Sequence, residues 1–255
     1  ATRLKVEAGD NVLIGGFIIK GPANSTKQVL IRGMGPTLGK FGVPGVLADP
    51  SLELHYRDSG GVDHTIGSND NWQEGDVSQV PSAYQPGDAK ESVIVATLTP
   101  GAYTAILKGA HGETGVGLAE IYDLDKGTVA QLGNIATRGY VQGGDDVMIA
   151  GFIVGGSEPA KMLVRALGPT LAQFGVNGAL ADPTLELHDA DGNTISSNDE
   201  WRETQEVEIL KAQLAPPNTH EPAILATLSP GNYTAIVRGK NNTVGIALVE
   251  AYNLQ

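Results

Sequence analysis

Asp189, Asp191 and Asn193 set oxygen-bearing side chains at alternate positions around Gly192, and Asn198 and Asp199 follow on the returning segment. Calcium takes about six to eight oxygen ligands, largely carboxylates and carbonyls. These five residues therefore make one candidate calcium site. The distal Glu of a helix–loop–helix calcium site is missing, and the matching stretch "YRDSGGVDHT" keeps only Asp58 and Asp63. Asp and Gly also suit tight turns for local reasons, so a solvated hairpin accounts for the same letters. A second candidate is the pair of tryptophans, Trp72 and Trp201, each closing an acidic turn, "SNDNW" and "SNDEW". An exposed indole would stack on a sugar ring. A buried one would pin a loop to the core and give its N–H a partner.

The third candidate is a repeated charge pair. Arg32 alternates with Leu30 and Met34, and Arg165 with Leu163 and Leu167. Glu120 stands between Leu118 and Tyr122, and Glu250 between Leu248 and Tyr252. Charges on apolar strand faces require partners. The expectation is one structural ion pair per copy, Arg32–Glu120 and Arg165–Glu250. A glycosidase centre would need a second acid across from the first, and the sequence offers none. The 5 histidines show no metal spacing, and only His55 and His188 correspond between copies. No nucleophile elbow, P-loop, zincin or dinucleotide motif is present. No catalytic residue is assigned, and the chain reads as a non-enzyme.

These residues recur because the chain is a tandem repeat. "ATRLKVEAGDNVLIGGFII" from Ala1 lies over "ATRGYVQGGDDVMIAGFIV" from Ala136. "VLIRGMGPTLGKFGVPGVLADPSLELH" lies over "MLVRALGPTLAQFGVNGALADPTLELH", and "ESVIVATLTPGAYTAILKG" over "EPAILATLSPGNYTAIVRG". The copies differ mainly in loops, where change is tolerated. This divides the chain into module one, residues 1–125; a linker and leading strand, 126–135; and module two, 136–255.

Strand signals dominate both copies. In "TLELHDADGNTISSND", Leu185 and Leu187 alternate with Glu186 and His188, as in a half-buried strand. Asp191-Gly192 and Ser229-Pro230-Gly231 mark hairpin turns. Helix signals are few: Pro169 could open a short turn through Phe174, and Thr204–Leu214 has apolar residues at helical spacing. The 34 glycines and 14 prolines fit many short strands joined by turns. The fold class is all-β, two tandem antiparallel β-sandwich modules of jelly-roll type with very little helix.

"LELHDADGNTISSNDEW", "LSPGNYTAIVRG" and the apolar last strand resemble the bacterial pre-peptidase C-terminal domain. The first half of each copy looks like tandem modules of large secreted bacterial proteins. The resemblance implies an extracellular, non-catalytic β-sandwich that sits beside enzymes, builds surface structures or binds ligands.

Composition narrows the partners. The net charge is −12 with only 17 Lys plus Arg, so nucleic acid and anionic membranes would be repelled. With no cysteine, disulfides and thiolate chemistry are excluded. No apolar run reaches the length of a membrane span. The expected function is that of an extracellular or cell-surface structural protein that self-associates head-to-tail, as in a filament. The alternative is a carbohydrate-binding or accessory module of a secreted system, with glycans as partners. Head-to-tail assembly is expected because "QLGNI" precedes module two but has no counterpart before Ala1, which would leave module one with an open strand edge.

Overall fold

The computed structural model describes residues 1–125 and 127–254. Lys126, the first residue of the expected linker, and Gln255, the last of module two, lie outside the described residues. The chain divides into two compact units. The first comprises Ala1 and Arg3–Ile135, and the second Thr2 and the residues from Ala136 on. Among the described residues the strands of each unit form two antiparallel layers of four, and α-helix is confined to three short segments.

The first unit uses β1 (Thr2–Val6), β2 (Leu13–Lys20), β3 (Lys27–Met34), α1 (Pro36–Lys40), β4 (Pro50–Arg57), β5 (Asp63–Asn69), β6 (Ser92–Leu98), β7 (Gly101–Gly109) and β8 (Gly115–Asp123). One layer runs β1-β8-β3-β6 and the other β2-β7-β4-β5. In the second unit β9 (Gln131–Val141), β16 (Gly245–Asn253), β11 (Ala160–Leu167) and β14 (Ala223–Leu228) make one layer. The other layer is β10 (Met148–Val154), β15 (Gly231–Gly239), β12 (Pro183–His188) and β13 (Thr194–Asn198). The helices α2 (Pro169–Gln173) and α3 (Glu206–Lys211) complete it. The opening residues of β9, Gln131–Ile135, belong to the first unit.

Alternation builds these layers. In β12, Leu185 and Leu187 are buried while Glu186 and His188 are partly exposed. In β7, Tyr103, Ala105 and Leu107 point inward. Facing aromatic pairs bind neighbouring strands: Phe17 stacks on Tyr103 with centroids 5.5 Å apart, and Phe152 on Tyr233 at 5.7 Å. The "GPTL" run is a tight corner rather than a ligand cradle. A Cβ at Gly35 or Gly168 would collide with the backbone oxygen of Leu47 or Leu180. The Pro that follows opens α1 or α2, where its missing N–H costs nothing.

Within the first unit the layers end at β1 and β6 and at β2 and β5, and within the second at β9 and β14 and at β10 and β13.

Candidate functional site

The groups with chemical capacity gather on the outer side of β3–β8 and of β11–β16, beneath the long excursion that follows each tryptophan. Arg32 and Glu120 face each other across β3 and β8, and Arg165 and Glu250 across β11 and β16. Arg32 Nε donates to Glu120 Oε2 at 2.7 Å, and Arg165 Nε to Glu250 Oε2 at 2.6 Å. A second guanidinium nitrogen reaches the excursion, at Tyr84 O (3.0 Å) or Leu214 O (2.7 Å). Tyr122 and Tyr252 donate to the other oxygen of their Glu at 2.6 Å and lie under the Arg at 5.3 and 5.4 Å. Burial, then the hydrogen bond to Glu, pushes both phenols up to about 12. Neither phenol is a base near neutral pH. Each cluster is a clasp that ties the excursion to the sheet.

Both indoles are buried, Trp72 at 9% and Trp201 at 2% exposure. Trp72 packs with Leu30, Val80 and Val93, and Trp201 with Leu163, Ile209 and Leu225. Their Nε1 atoms donate to Asp88 O and Asn218 O, each at 3.1 Å. The Arg202 guanidinium lies 4.2 Å from the Trp201 ring centre. Buried at these positions, each indole pins its loop to the sheet beneath it.

The five calcium candidates do not converge. Asp189 Oδ1 accepts from the N–H groups of Asp191 and Asn193 at 3.0 and 2.8 Å, and its Oδ2 accepts from Asn193 Nδ2 at 3.0 Å. The hydrogen bond from the Asn193 side chain leads in holding its carboxyl below the usual range. Asn198 Oδ1 accepts from Ala223 N–H, and Asp199 Oδ2 lies 2.5 Å from Lys240 Nζ. Among the described residues no group of three or more His, Cys, Asp or Glu is placed to hold a metal ion. The loop is a self-satisfied turn, with Gly192 at φ +82°.

Sequence reasoning missed the most buried acids. Glu91 and Glu221 are wholly buried. Glu91 accepts from Gly35 N–H, Thr37 N–H and Thr37 Oγ1 at 3.1, 2.8 and 2.6 Å. Glu221 accepts the equivalent bonds from Gly168 and Thr170, and one more from Asn218 N–H at 3.2 Å. Each carboxylate thus closes the "GPTL" corner. The available signal was a Glu repeated at the head of an apolar strand.

A second repeated feature is a carboxylate pair, Asp49 with Asp70 and Asp182 with Asp199. One oxygen of each of the four is buried without a hydrogen-bond partner among the described residues. Lys90 Nζ lies 3.0 Å from Asp49, whereas Lys240 Nζ serves Asp199 and lies 3.7 Å from Asp182.

No family model matches the chain. No curated protein matches it. Among solved structures, the pre-peptidase C-terminal domain of collagenase from Bacillus anthracis is similar at 16% identity and a TM-score of 0.30, over 46% of this chain and 86% of that one. It is the domain type that the sequence motifs resemble. The STIV MCP is similar over 98% of this chain and 95% of its own, at 12% identity and a TM-score of 0.23. The PBCV-1 virus capsid covers 99% and 92%, at 7% identity and a TM-score of 0.22.

Proposed function

We propose that this chain is a non-catalytic, extracellular structural protein that works by associating with copies of itself. The observation that carries this reading is the saturation of the duplicated Arg–Glu–Tyr clusters inside their own copies. Arg32, Glu120 and Tyr122 bond one another and a backbone carbonyl, and Arg165, Glu250 and Tyr252 do the same at nearly equal distances. A carboxylate held by a guanidinium and a phenol positions chain; it is not poised to move a proton or attack a carbonyl. Function then falls to the surface of two repeated sandwiches. The extracellular setting rests on the sequence motifs "LELHDADGNTISSND" and "LSPGNYTAIVRG" and the domain type they resemble.

The test is sedimentation velocity on the full chain from micromolar to near-millimolar concentration. The expected result is a mass that rises with concentration. A single monomeric species throughout would overturn self-association. Turnover of any substrate that one side-chain change abolishes would overturn the non-catalytic reading.

A further inference from the structure

Four strands that end layers within their own units, β5, β6, β13 and β14, differ in how they treat an approaching chain. Proteins guard sheet edges with bulges, charge, short length or a covering element, because an open edge is a template for another strand. β5 and β13 carry a register shift, between Leu54 and His55 and between Leu187 and His188 on their partner strands. β5 also presents Asp63 and His64. β14 is capped. Asn198 Oδ1 accepts from Ala223 N–H at 2.9 Å, and the Gln205 amide takes both outward groups of Leu225, accepting from its N–H and donating to its C=O at 2.8 Å each. Ile209 of α3 packs against Leu225, which is 8% exposed.

β6 begins in the same way and then departs. Val93 N–H donates to Asn69 Oδ1 at 2.8 Å, as Ala223 does to Asn198. The next outward residue is Val95, opposite Leu30 as Leu225 is opposite Leu163. The position that matches Gln205, four residues after the tryptophan, is Asp76. Its carboxylate is occupied by Ser78 and Gln79. Among the described residues nothing takes the outward N–H and C=O of Val95. β6 pairs with β3 in unbroken register from Leu98 to Ser92, and "SVIVATL" carries no charge.

We propose that β6 is a self-association edge, pairing antiparallel with β6 of a second copy about a two-fold axis at Val95. Three features select a second copy as the occupant. The open groups are main-chain donors and acceptors, which an extended strand satisfies. A molecule of net charge −12 meets its own kind with least repulsion where a strand is uncharged. The register is also self-complementary. The two Val95 residues exchange N–H and C=O bonds, while each Val93 C=O accepts from Thr97 N–H of the other copy. Val93 N–H stays with Asn69. Such an isologous contact closes on itself, so it yields a dimer and not a filament. The inference rests on the self-association reading and names its surface.

The experiment combines sedimentation with amide exchange on the full chain. Expected are a doubling of mass with concentration and a concentration-dependent slowing of exchange at Val95 and Thr97. Val95→Pro removes the outward donor at a place where an edge strand tolerates proline. It should weaken dimerisation at least tenfold. Association that persists in Val95→Pro with β6 exchange unchanged would overturn this contact and leave self-association standing. A monomer at every concentration would overturn both. Should Val95→Pro fail to fold, the exchange measurement on the native chain decides, and exchange at Val95 independent of concentration overturns the proposal. Protection of Val95 that appears only on adding an unrelated extended peptide would also overturn it.

Discussion

The two copies keep one clasp and rebuild the cover above it. In the first, the excursion after Trp72 runs through three 3-10 turns, at Trp72–Glu74, Val77–Gln79 and Ser82–Tyr84, and offers Tyr84 O to Arg32. In the second, it folds into α3 and offers Leu214 O to Arg165. Val95 is only half-buried under the first cover, whereas Leu225 is buried under the second. The anchoring groups are fixed by charge and geometry, which tolerate little change. The cover needs only to bring a carbonyl and some apolar surface to the right place. Divergence has therefore fallen on the element that decides whether a sheet edge is open.

The largest effect that would sharpen this comparison is expected at the buried acids. Glu221→Ala leaves the N–H groups of Gly168 and Thr170 without an acceptor in a dry corner. Each stranded donor costs about 1–3 kcal/mol, so the loss should be on the order of 5 kcal/mol. Glu91→Ala should cost about 1 kcal/mol less, because Glu221 alone also accepts from Asn218. Chemical denaturation of both variants measures the difference. Equal losses would show that the Asn218 bond is idle.

Next come the clasps. Arg165→Met strands the Glu250 carboxylate, which is nearly buried at 10% side-chain exposure, and should cost about 3–4 kcal/mol. Arg32→Met should cost the same within error, because the two sites match in distance and burial. Unchanged melting in either variant would refute the clasp. A clear inequality would mean that the cover contributes to its strength.

Gln205→Ala tests the other half of the comparison. It frees the N–H and C=O of Leu225 and turns β14 into an edge like β6. The stability loss should be about 1 kcal/mol. The more telling readout is mass in sedimentation, which should exceed that of the native chain at equal concentration because a second edge has opened. An unchanged mass would show that α3, not the glutamine, protects β14.

Much of this was legible in the letters. The repeat gave two sandwiches, and the leucines of "TLELH" gave the inward face of β12. Arg and Glu on apolar strand faces implied partners within the same copy, since the two strands are close in any sandwich of this length. Other features depend on facts that residue type does not carry. Glu91 sits before a strand and reads as a surface residue until the corner of α1 folds over it. The letters of the Asp189 turn suit a metal loop and a solvated hairpin alike, and they do not show that its carboxylate accepts from its own backbone. Which strands end a layer follows from closure of each unit's topology, so β6 was not read as an edge.

The smallest effect concerns pH, and it separates the copies by sign. Burial, followed by the charge of Asp49, raises the carboxyl of Asp70 above its usual range. A raised acid binds its proton more readily in the folded state. Its contribution favours folding below the ordinary Asp value of about 3.9 and is lost as pH rises through the raised value. Around it stand Asp49, Glu74 and Glu113, all acidic, and His111, which opposes them. Near neutral pH the charged Asp70 is thus a burden, and Asp70→Asn should raise the melting temperature. The gain should fade in acid, where the native residue is already protonated. In the second copy Lys240 Nζ lies 2.5 Å from Asp199, the residue that matches Asp70. Asp199→Asn removes that attraction and should lower the melting temperature at neutral pH. Thermal scans of the two variants from acid to neutral pH decide the matter. A drop in both would mean that Asp70 has a stabilising partner of its own and that the two carboxylate pairs are alike.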